Sequence, residues 1–172
     1  IDGVISRDVN GNLQYSNPAA RIKQLDEIPS PYISGMMDKF FDGKLIPMLQ
    51  TNRGCPFSCT FCTDGRSDVN KVNFFGIERL KRELDYIESN IPESTHNLYI
   101  SDLNFGMYEH DLEISRYIRE LQTKSHWPKR IIASTGKNRK ERVIEAIKIL
   151  GGSLLLSMSV QSLDENVLTN VK

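Results

Sequence analysis

The sequence predicts an α/β fold in which strands and helices alternate along the chain. From Leu45 onward, short apolar runs alternate with segments whose apolar residues recur at helical spacing, and this alternation favours a parallel sheet with right-handed crossovers. The 172 residues are 39% hydrophobic and 26% charged, the composition of an ordinary soluble globular protein. We therefore expect a core of strand–helix repeats over residues 45–172, preceded by a connector over residues 1–44.

The connector predicts a hairpin followed by extended chain. The runs 4–7 and 13–15 flank Asn10-Gly11, a pair that favours a tight hairpin turn. The prolines that come next favour an extended backbone. Nothing in this segment has the pattern of a chemical site, so we expect it to connect to the core or to cover it.

Four strand–helix units are predicted in the core. The predicted strands are residues 45–51, 97–101, 130–134 and 153–160. The predicted helices are residues 76–91, a helix that carries the apolar residues of 114–121, residues 140–150 and a helix that begins at Asp164. Pro92 ends the first helix, and Gly151-Gly152 supply a C-terminal cap for the third. We interpret the chain as a fragment whose core is truncated at its C-terminus, because the alternation stops within the fourth unit.

Charge and hydropathy exclude two classes of partner. Lys and Arg number 22, as do Asp and Glu, so the chain lacks the basic excess that nucleic-acid binding requires. The most apolar stretch, residues 154–160, is far shorter than the roughly 20 residues of a membrane span. The first residues have neither the basic segment nor the long apolar run of a signal peptide, and we expect a cytoplasmic protein.

The three cysteines form one cluster, Cys55-x3-Cys59-x2-Cys62. A disulfide between such close neighbours would be strained, so a reduced metal site is the better interpretation. Gly54 and Pro56 keep the segment irregular, and an irregular loop can direct three thiolates to one point. Three thiolates suit zinc or an iron–sulfur cluster, and a 4Fe–4S cluster held by three cysteines would leave one iron open to a ligand.

Two alternatives to a catalytic cluster remain open. The first is a zinc-stabilised structural or interaction module, in which His96, His110 or His126 would be the fourth ligand. Zinc ligands usually come as two close pairs rather than as one triplet, which disfavours this site. The second is an iron–sulfur electron carrier without catalysis, which would ordinarily have a fourth cysteine.

The cysteine motif, with Phe61 before its last cysteine, resembles the signature of the radical S-adenosylmethionine superfamily. This resemblance implies a partial TIM-like (β/α)6 barrel, of which the chain would hold the first four units. It also implies a 4Fe–4S cluster on Cys55, Cys59 and Cys62 whose open iron binds S-adenosylmethionine. Reductive cleavage of that cofactor gives a 5'-deoxyadenosyl radical in the family, and Phe61 matches a position near the adenine.

A second resemblance concerns a subgroup of this family. Residues 53–56, Arg-Gly-Cys-Pro, and residues 25–32 resemble members that carry a cobalamin-binding domain before the radical core. The resemblance implies a cobalamin-dependent methyl transfer or rearrangement, with cobalamin bound by a domain outside this chain. It further implies a small-molecule substrate and a reductant such as flavodoxin or ferredoxin.

Polar residues that follow the predicted strands are the other candidates for the site, because ligands bind at the carboxyl ends of parallel strands. Asp102 and Asn104 follow the second strand, Ser134 the third and Gln161 the fourth. We expect each to contact S-adenosylmethionine or substrate, the alternative being a helix cap or a solvated loop.

The segment from Asp102 to Phe105 resembles the cobalamin subgroup and lacks the Gly-Gly-Glu that holds the cofactor's amino group in many members. That contact is therefore unassigned. Gln161 matches a family position where Gln or Glu faces the cofactor.

Overall fold

The computed structural model describes residues 2–67, 70–157 and 160–171. The strands are β1 Ile5–Arg7, β2 Leu13–Tyr15, β3 Met48–Leu49, β4 Asn52–Arg53, β5 Asn73–Phe74, β6 Asn97–Phe105 and β7 Arg130–Thr135. The α-helices are α1 Ile77–Asn90, α2 Glu109–Ser125, α3 Lys140–Ile149 and α4 Glu165–Val171. Short 3-10 turns lie at Leu25–Glu27, Asp38–Phe40 and Thr63–Gly65.

A parallel sheet in the order β3-β6-β7 forms the centre of the molecule. Met48 pairs with Tyr99 at one side of β6, and Asn97 pairs with Arg130 at the other. Helices connect these strands, which confirms the predicted mixed α/β class with a parallel sheet. The barrel of six units, with four of them in this chain, stays a prediction. Within the described ranges, no helix has both the length and the apolar character of a membrane span.

One hydrophobic cluster packs between the sheet and its helices, and two connector residues belong to it. Leu25 and Tyr32 are 2% and 6% exposed, in contact with core side chains from β3, β6 and α1. The Tyr32 hydroxyl donates to the Met48 carbonyl at 2.8 Å and accepts the Met48 N–H at 2.9 Å. The connector is thus attached to the first strand of the sheet. The predicted hairpin also forms, with Ile5 opposite Tyr15.

The predicted first strand, residues 45–51, is divided in the structure. Only β3 joins the parallel sheet, and the chain then turns so that β4 pairs antiparallel with β5. The register places Asn52 opposite Phe74 in this small second sheet. The physical reason is a side-chain contact from β6, described below, which holds the backbone at Thr51 and Asn52. The pattern of hydrophobic residues along the chain could not reveal this contact between distant segments.

Two other predicted strands differ from the structure. The second was expected to end at Ser101, but β6 continues to Phe105 with an irregularity in its pairing after Ile100. The fourth, predicted over residues 153–160, forms a single parallel bridge between Leu154 and Ile131 in the described part of the chain. Leu155 is 62% exposed after the bridge, and the Thr135 hydroxyl donates to the Ser157 carbonyl two residues further along. Positions 158 and 159 lie outside the described residues.

Candidate metal centre

The cysteine loop, residues 54–65, begins directly after β4 and ends in the 3-10 turn Thr63–Gly65. Its three cysteines are free and half-buried. The Cys62 N–H donates to the Cys59 carbonyl at 3.0 Å, and the Gly65 N–H donates to the Cys62 carbonyl at 3.1 Å. Across the described ranges, no three His, Cys, Asp or Glu side chains are arranged so that they could hold a metal ion. The structure therefore places three soft donors in one loop without gathering their sulfurs at one point.

Gly54 allows the chain to enter this loop. Its φ is +113°, and a Cβ atom there would lie 2.2 Å from the Lys71 carbonyl oxygen. A side chain is excluded by both the backbone conformation and the lack of space. Arg21 of the connector donates to the same Lys71 oxygen at 2.6 Å and to the Arg53 carbonyl at 3.4 Å. The start of the loop is thus fixed from two directions.

Asp102 holds the segment that leads from β3 into β4. One carboxylate oxygen accepts the backbone N–H groups of Thr51 at 2.8 Å and Asn52 at 3.3 Å. The other accepts the Asn52 amide at 3.0 Å and the Thr51 hydroxyl. Burial raises the pKa of Asp102 to about 6, although these hydrogen bonds oppose the increase. The described contacts of Asp102 are therefore internal, and they position the chain just before the cysteines.

Asn104 connects the same strand to the cysteine loop. Its side-chain amide donates to the Cys55 sulfur at 3.4 Å, and the residue is 4% exposed. Asp102 and Asn104 were expected in a loop after the strand, but both lie within β6. The correction has a physical reason: each polar group is paired with a partner about 50 residues earlier in the chain, so burial within a strand is tolerated.

The remaining predicted site residues are exposed. Phe61 is 61% exposed, and Gln161 also lies on the surface. Ser134 lies on the exposed face of β7, whereas its neighbours Ala133 and Thr135 are buried on the opposite face. Neither Ser134 nor Gln161 makes a side-chain hydrogen bond within the described part of the chain. Their contacts with S-adenosylmethionine stay predictions.

Tyr108 is a further residue near the loop that the sequence analysis did not select. Its hydroxyl is buried and has no hydrogen-bond partner among the described residues. Burial raises the pKa of Tyr108 to about 12, and the negative charges of Asp111, Cys55 and Asp102 raise it further. Tyr108 also lines a cavity of about 290 Å³ together with Pro56 and other residues. Its position just beyond a strand end was the signal that could have identified it.

Comparison with known families identifies the fold around this loop. The family model described as the radical SAM superfamily matches residues 49–172, which include β3, the cysteine loop and everything that follows. The chain belongs to the radical SAM superfamily. The predicted family is confirmed, and the assignment of the three cysteines as its cluster ligands stays a prediction.

Two relatives are similar to this radical SAM chain over most of its length. A 2-(S-pantetheinyl)-carbapenam-3-carboxylate methyltransferase from Streptantibioticus cattleyicolor is 35% identical over 160 residues, 88% of this chain and 23% of the relative. The cobalamin-dependent radical SAM methyltransferase TokK from Streptomyces tokunonensis is 33% identical over 159 residues, 87% of this chain and 23% of TokK. The chain thus spans about a quarter of the length of these relatives. The name of TokK agrees with the predicted resemblance to the cobalamin subgroup.

A solved structure is also similar to the chain. The cobalamin-dependent S-adenosylmethionine radical enzyme OxsB, with aqua-cobalamin and S-adenosylmethionine bound, aligns with a TM-score of 0.48 and 23% identity. The alignment covers 86% of this chain and 22% of that protein.

The histidines of this radical SAM chain do not provide a fourth zinc ligand. His96 precedes β6 and His126 precedes β7, so both lie at the amino ends of strands, whereas the cysteine loop follows the carboxyl end of β3. His110 lies on the cysteine-loop side, where its Nε2 contacts the Phe75 carbonyl at 2.8 Å, and no described group of three potential ligands includes its other nitrogen, Nδ1. The zinc module is therefore the weaker interpretation.

Proposed function

We propose that the chain is the cluster-binding core of a cobalamin-dependent radical SAM methyltransferase. The observation that carries the proposal is the set of three free cysteines with family spacing in one loop, which β6 contacts through the hydrogen bond from Asn104 to Cys55. Both relatives described above are named as methyltransferases, which supports methyl transfer as the outcome. Residues 45–172 form the catalytic core in this proposal, and residues 1–44 form its connector.

The donor set fits a 4Fe–4S cluster. Cys55, Cys59 and Cys62 would hold three of its irons as thiolates, and the fourth iron would bind S-adenosylmethionine. Iron–sulfur clusters take thiolate ligands, and hydrogen bonds to the sulfurs adjust their properties, as the contact from Asn104 would. When bound, the reduced cluster would supply the electron that cleaves S-adenosylmethionine to a 5'-deoxyadenosyl radical.

The other candidate residues have separate roles in this proposal. Asp102 fixes the base of the cysteine loop through Thr51 and Asn52, and Phe61 contacts the adenine of S-adenosylmethionine. Ser134 and Gln161 line the cofactor site from the following strands. The substrate is a small molecule, the electron donor is a flavodoxin or ferredoxin, and the protein acts in the cytoplasm.

Anaerobic reconstitution tests the cluster. The full-length protein is treated with iron and sulfide, reduced, and measured by electron paramagnetic resonance with and without S-adenosylmethionine. We expect about four irons per chain and a spectrum that changes when S-adenosylmethionine binds the open iron. Cys59→Ala should lose the cluster, whereas Ser58→Ala, an exposed neighbour in the same loop, should keep it. A Cys59→Ala protein with the full iron content would refute the ligand assignment.

A second experiment tests the reaction outcome. The reconstituted full-length protein is supplied with reductant and isotopically labelled S-adenosylmethionine, with and without cobalamin. We expect 5'-deoxyadenosine release in the presence of the cluster, and transfer of the labelled methyl group to substrate only when cobalamin is also present. A rearranged substrate without the label would contradict methyl transfer and leave the radical chemistry intact.

A further inference from the structure

One buried face of β6 changes from apolar to polar as the strand approaches the cysteine loop. Leu98 and Ile100 are fully buried, and the next two residues on that face are Asp102 and Asn104, which are 2% and 4% exposed. Burial alternates along β6 at these positions, so the four side chains form a row although the pairing with β7 is irregular after Ile100. The row ends at the sulfur of Cys55.

The backbone of Asn104 is held on both sides. Phe105, the next residue, pairs with Thr135 of β7, and the Phe105 carbonyl accepts the Gly136 N–H at 2.9 Å. Two residues earlier, Asp102 is fixed by its hydrogen bonds to Thr51 and Asn52. The amide of Asn104 is therefore directed at Cys55 by the sheet and not by the cysteine loop itself.

The three cysteine sulfurs have different surroundings. The Cys55 sulfur accepts a side-chain N–H at 3.4 Å, whereas the described hydrogen bonds of Cys59 and Cys62 involve their backbone groups. An N–H donor stabilises negative charge on a sulfur, and a reduced cluster carries one more negative charge than an oxidised cluster. Donation to one ligand therefore favours the reduced form.

We propose that Asn104 is a positioning residue that raises the reduction potential of the cluster through its hydrogen bond to the Cys55 sulfur. This inference rests on the proposed function, because it requires Cys55 to be a cluster ligand. It assigns to Asn104 a partner within the protein, distinct from the cofactor or substrate contact that its position after Ile100 suggested. Cys55 is then the ligand through which a residue of the sheet changes the reduction potential of the cluster.

The test is the midpoint potential of the cluster in Asn104→Leu, which has a similar volume and no donor. Full-length parent and variant are reconstituted and titrated under anaerobic conditions, with the reduced cluster followed by electron paramagnetic resonance. At a fixed applied potential, we expect the ratio of reduced to oxidised cluster to fall by up to about tenfold, which corresponds to about 59 mV for one electron. Asn90→Leu, at an exposed position at the end of α1 and before the amino end of β6, should have the parent's potential.

A second variant keeps the inference testable if Asn104→Leu fails to fold. Asn104→Ser is smaller, cannot reach Cys55 from the same backbone position, and should lower the potential in the same direction. Unchanged potentials in both variants would overturn the inference while leaving the proposed function intact. Failure of both variants to hold iron would also overturn it, since a residue that only adjusts the potential is dispensable for assembly. A parent protein that holds no iron would instead refute the proposed function itself.

Discussion

The clamp of Thr51, Asn52 and Asp102 differs sharply from the cysteine loop that follows it. The clamp residues are 0%, 4% and 2% exposed, and one carboxylate accepts four hydrogen bonds. In the loop, Phe61 is 61% exposed. The groups that fix the position of the loop thus lie in strands or directly beside them, and the proposed cluster ligands and Phe61 lie in the loop. Such a division lets the loop accommodate a cluster without loss of its anchor.

The clamp concentrates several polar groups in a buried place, which is stable only when each has a partner. A buried donor without a partner costs about 1–3 kcal/mol. Because Asp102 serves both a backbone and a side-chain donor from each of two neighbouring residues, its removal leaves several donors unpaired at once. The described hydrogen bonds include none to the loop carboxylate Asp64, and this difference between the two aspartates can be tested.

The largest effect is expected from Asp102→Ala. We expect a decrease in the free energy of unfolding of about 4 kcal/mol, because buried donors of Thr51 and Asn52 lose their acceptor and a small cavity remains. Urea denaturation followed by circular dichroism measures the change. Asp64→Ala, an exposed aspartate in the cysteine loop, should change stability by less than about 0.5 kcal/mol. Equal losses in the two variants would remove the distinction between clamp and loop.

The second effect concerns the boundary between the two regions. Gly54→Ala should cost about 3 kcal/mol, because the new Cβ would lie 2.2 Å from the Lys71 oxygen and φ is +113°. Gly152→Ala is the matched control: its φ is +83°, and nothing lies within 4 Å of the new atom. It should cost only about 1 kcal/mol, the conformational penalty alone. A Gly54→Ala protein no less stable than the control would show that the two chain segments are not held together as described.

The third effect concerns the pH dependence of stability that a second buried carboxylate, Asp111, should produce. Asp111 is fully buried, and one of its oxygens accepts the Tyr108 N–H at 2.9 Å. The other oxygen has no hydrogen-bond partner among the described residues and lies 4.0 Å from His110 Nδ1. Burial raises the pKa of Asp111 to about 7, so the folded protein binds this proton more tightly than the unfolded chain does. The resulting stability is present below about pH 4 and is lost as the pH rises through about 7.

Asp111→Asn removes this titration while keeping an acceptor for Tyr108. Between pH 5 and pH 8, the free energy of unfolding of the parent should fall by about 2 kcal/mol relative to that of the variant. Denaturation at both pH values measures the difference. If the parent gains stability over the variant as the pH rises, the carboxylate is stabilised in its charged form and our account of its burial is wrong.

The sequence predicted the helices and the metal donors because both signals are local. The apolar residues of α1, such as Leu80, Leu84 and Ile87, recur at helical spacing, so the predicted helix 76–91 agrees with Ile77–Asn90 within one residue at each end. The cysteines were identified by their spacing alone. Neither prediction required knowledge of which residues meet in space.

Contacts between distant segments explain what the sequence could not predict. Asp102 and Asn104 were interpreted as loop residues since they are polar, yet each is buried against a partner about 50 residues away. The direction of Ser134 follows from the register of β7 against β6, which places Thr135 on the buried face instead. A polar residue after an apolar run therefore identifies the region of a site, but not the side chains that face it.

The smallest effect on stability, and the sharpest test of the comparison, is expected from Phe61→Ala. Since 61% of this side chain is exposed, its removal should change the free energy of unfolding by less than about 0.5 kcal/mol. If Phe61 contacts the adenine as proposed, the same change should weaken S-adenosylmethionine binding to the reconstituted protein about tenfold, the loss of roughly 1.4 kcal/mol of ring contact. Tyr15→Ala, an exposed aromatic residue of the β1–β2 hairpin, should leave both quantities unchanged. A large loss of stability in Phe61→Ala, or unchanged binding, would mean that the loop contributes to the fold rather than to the cofactor.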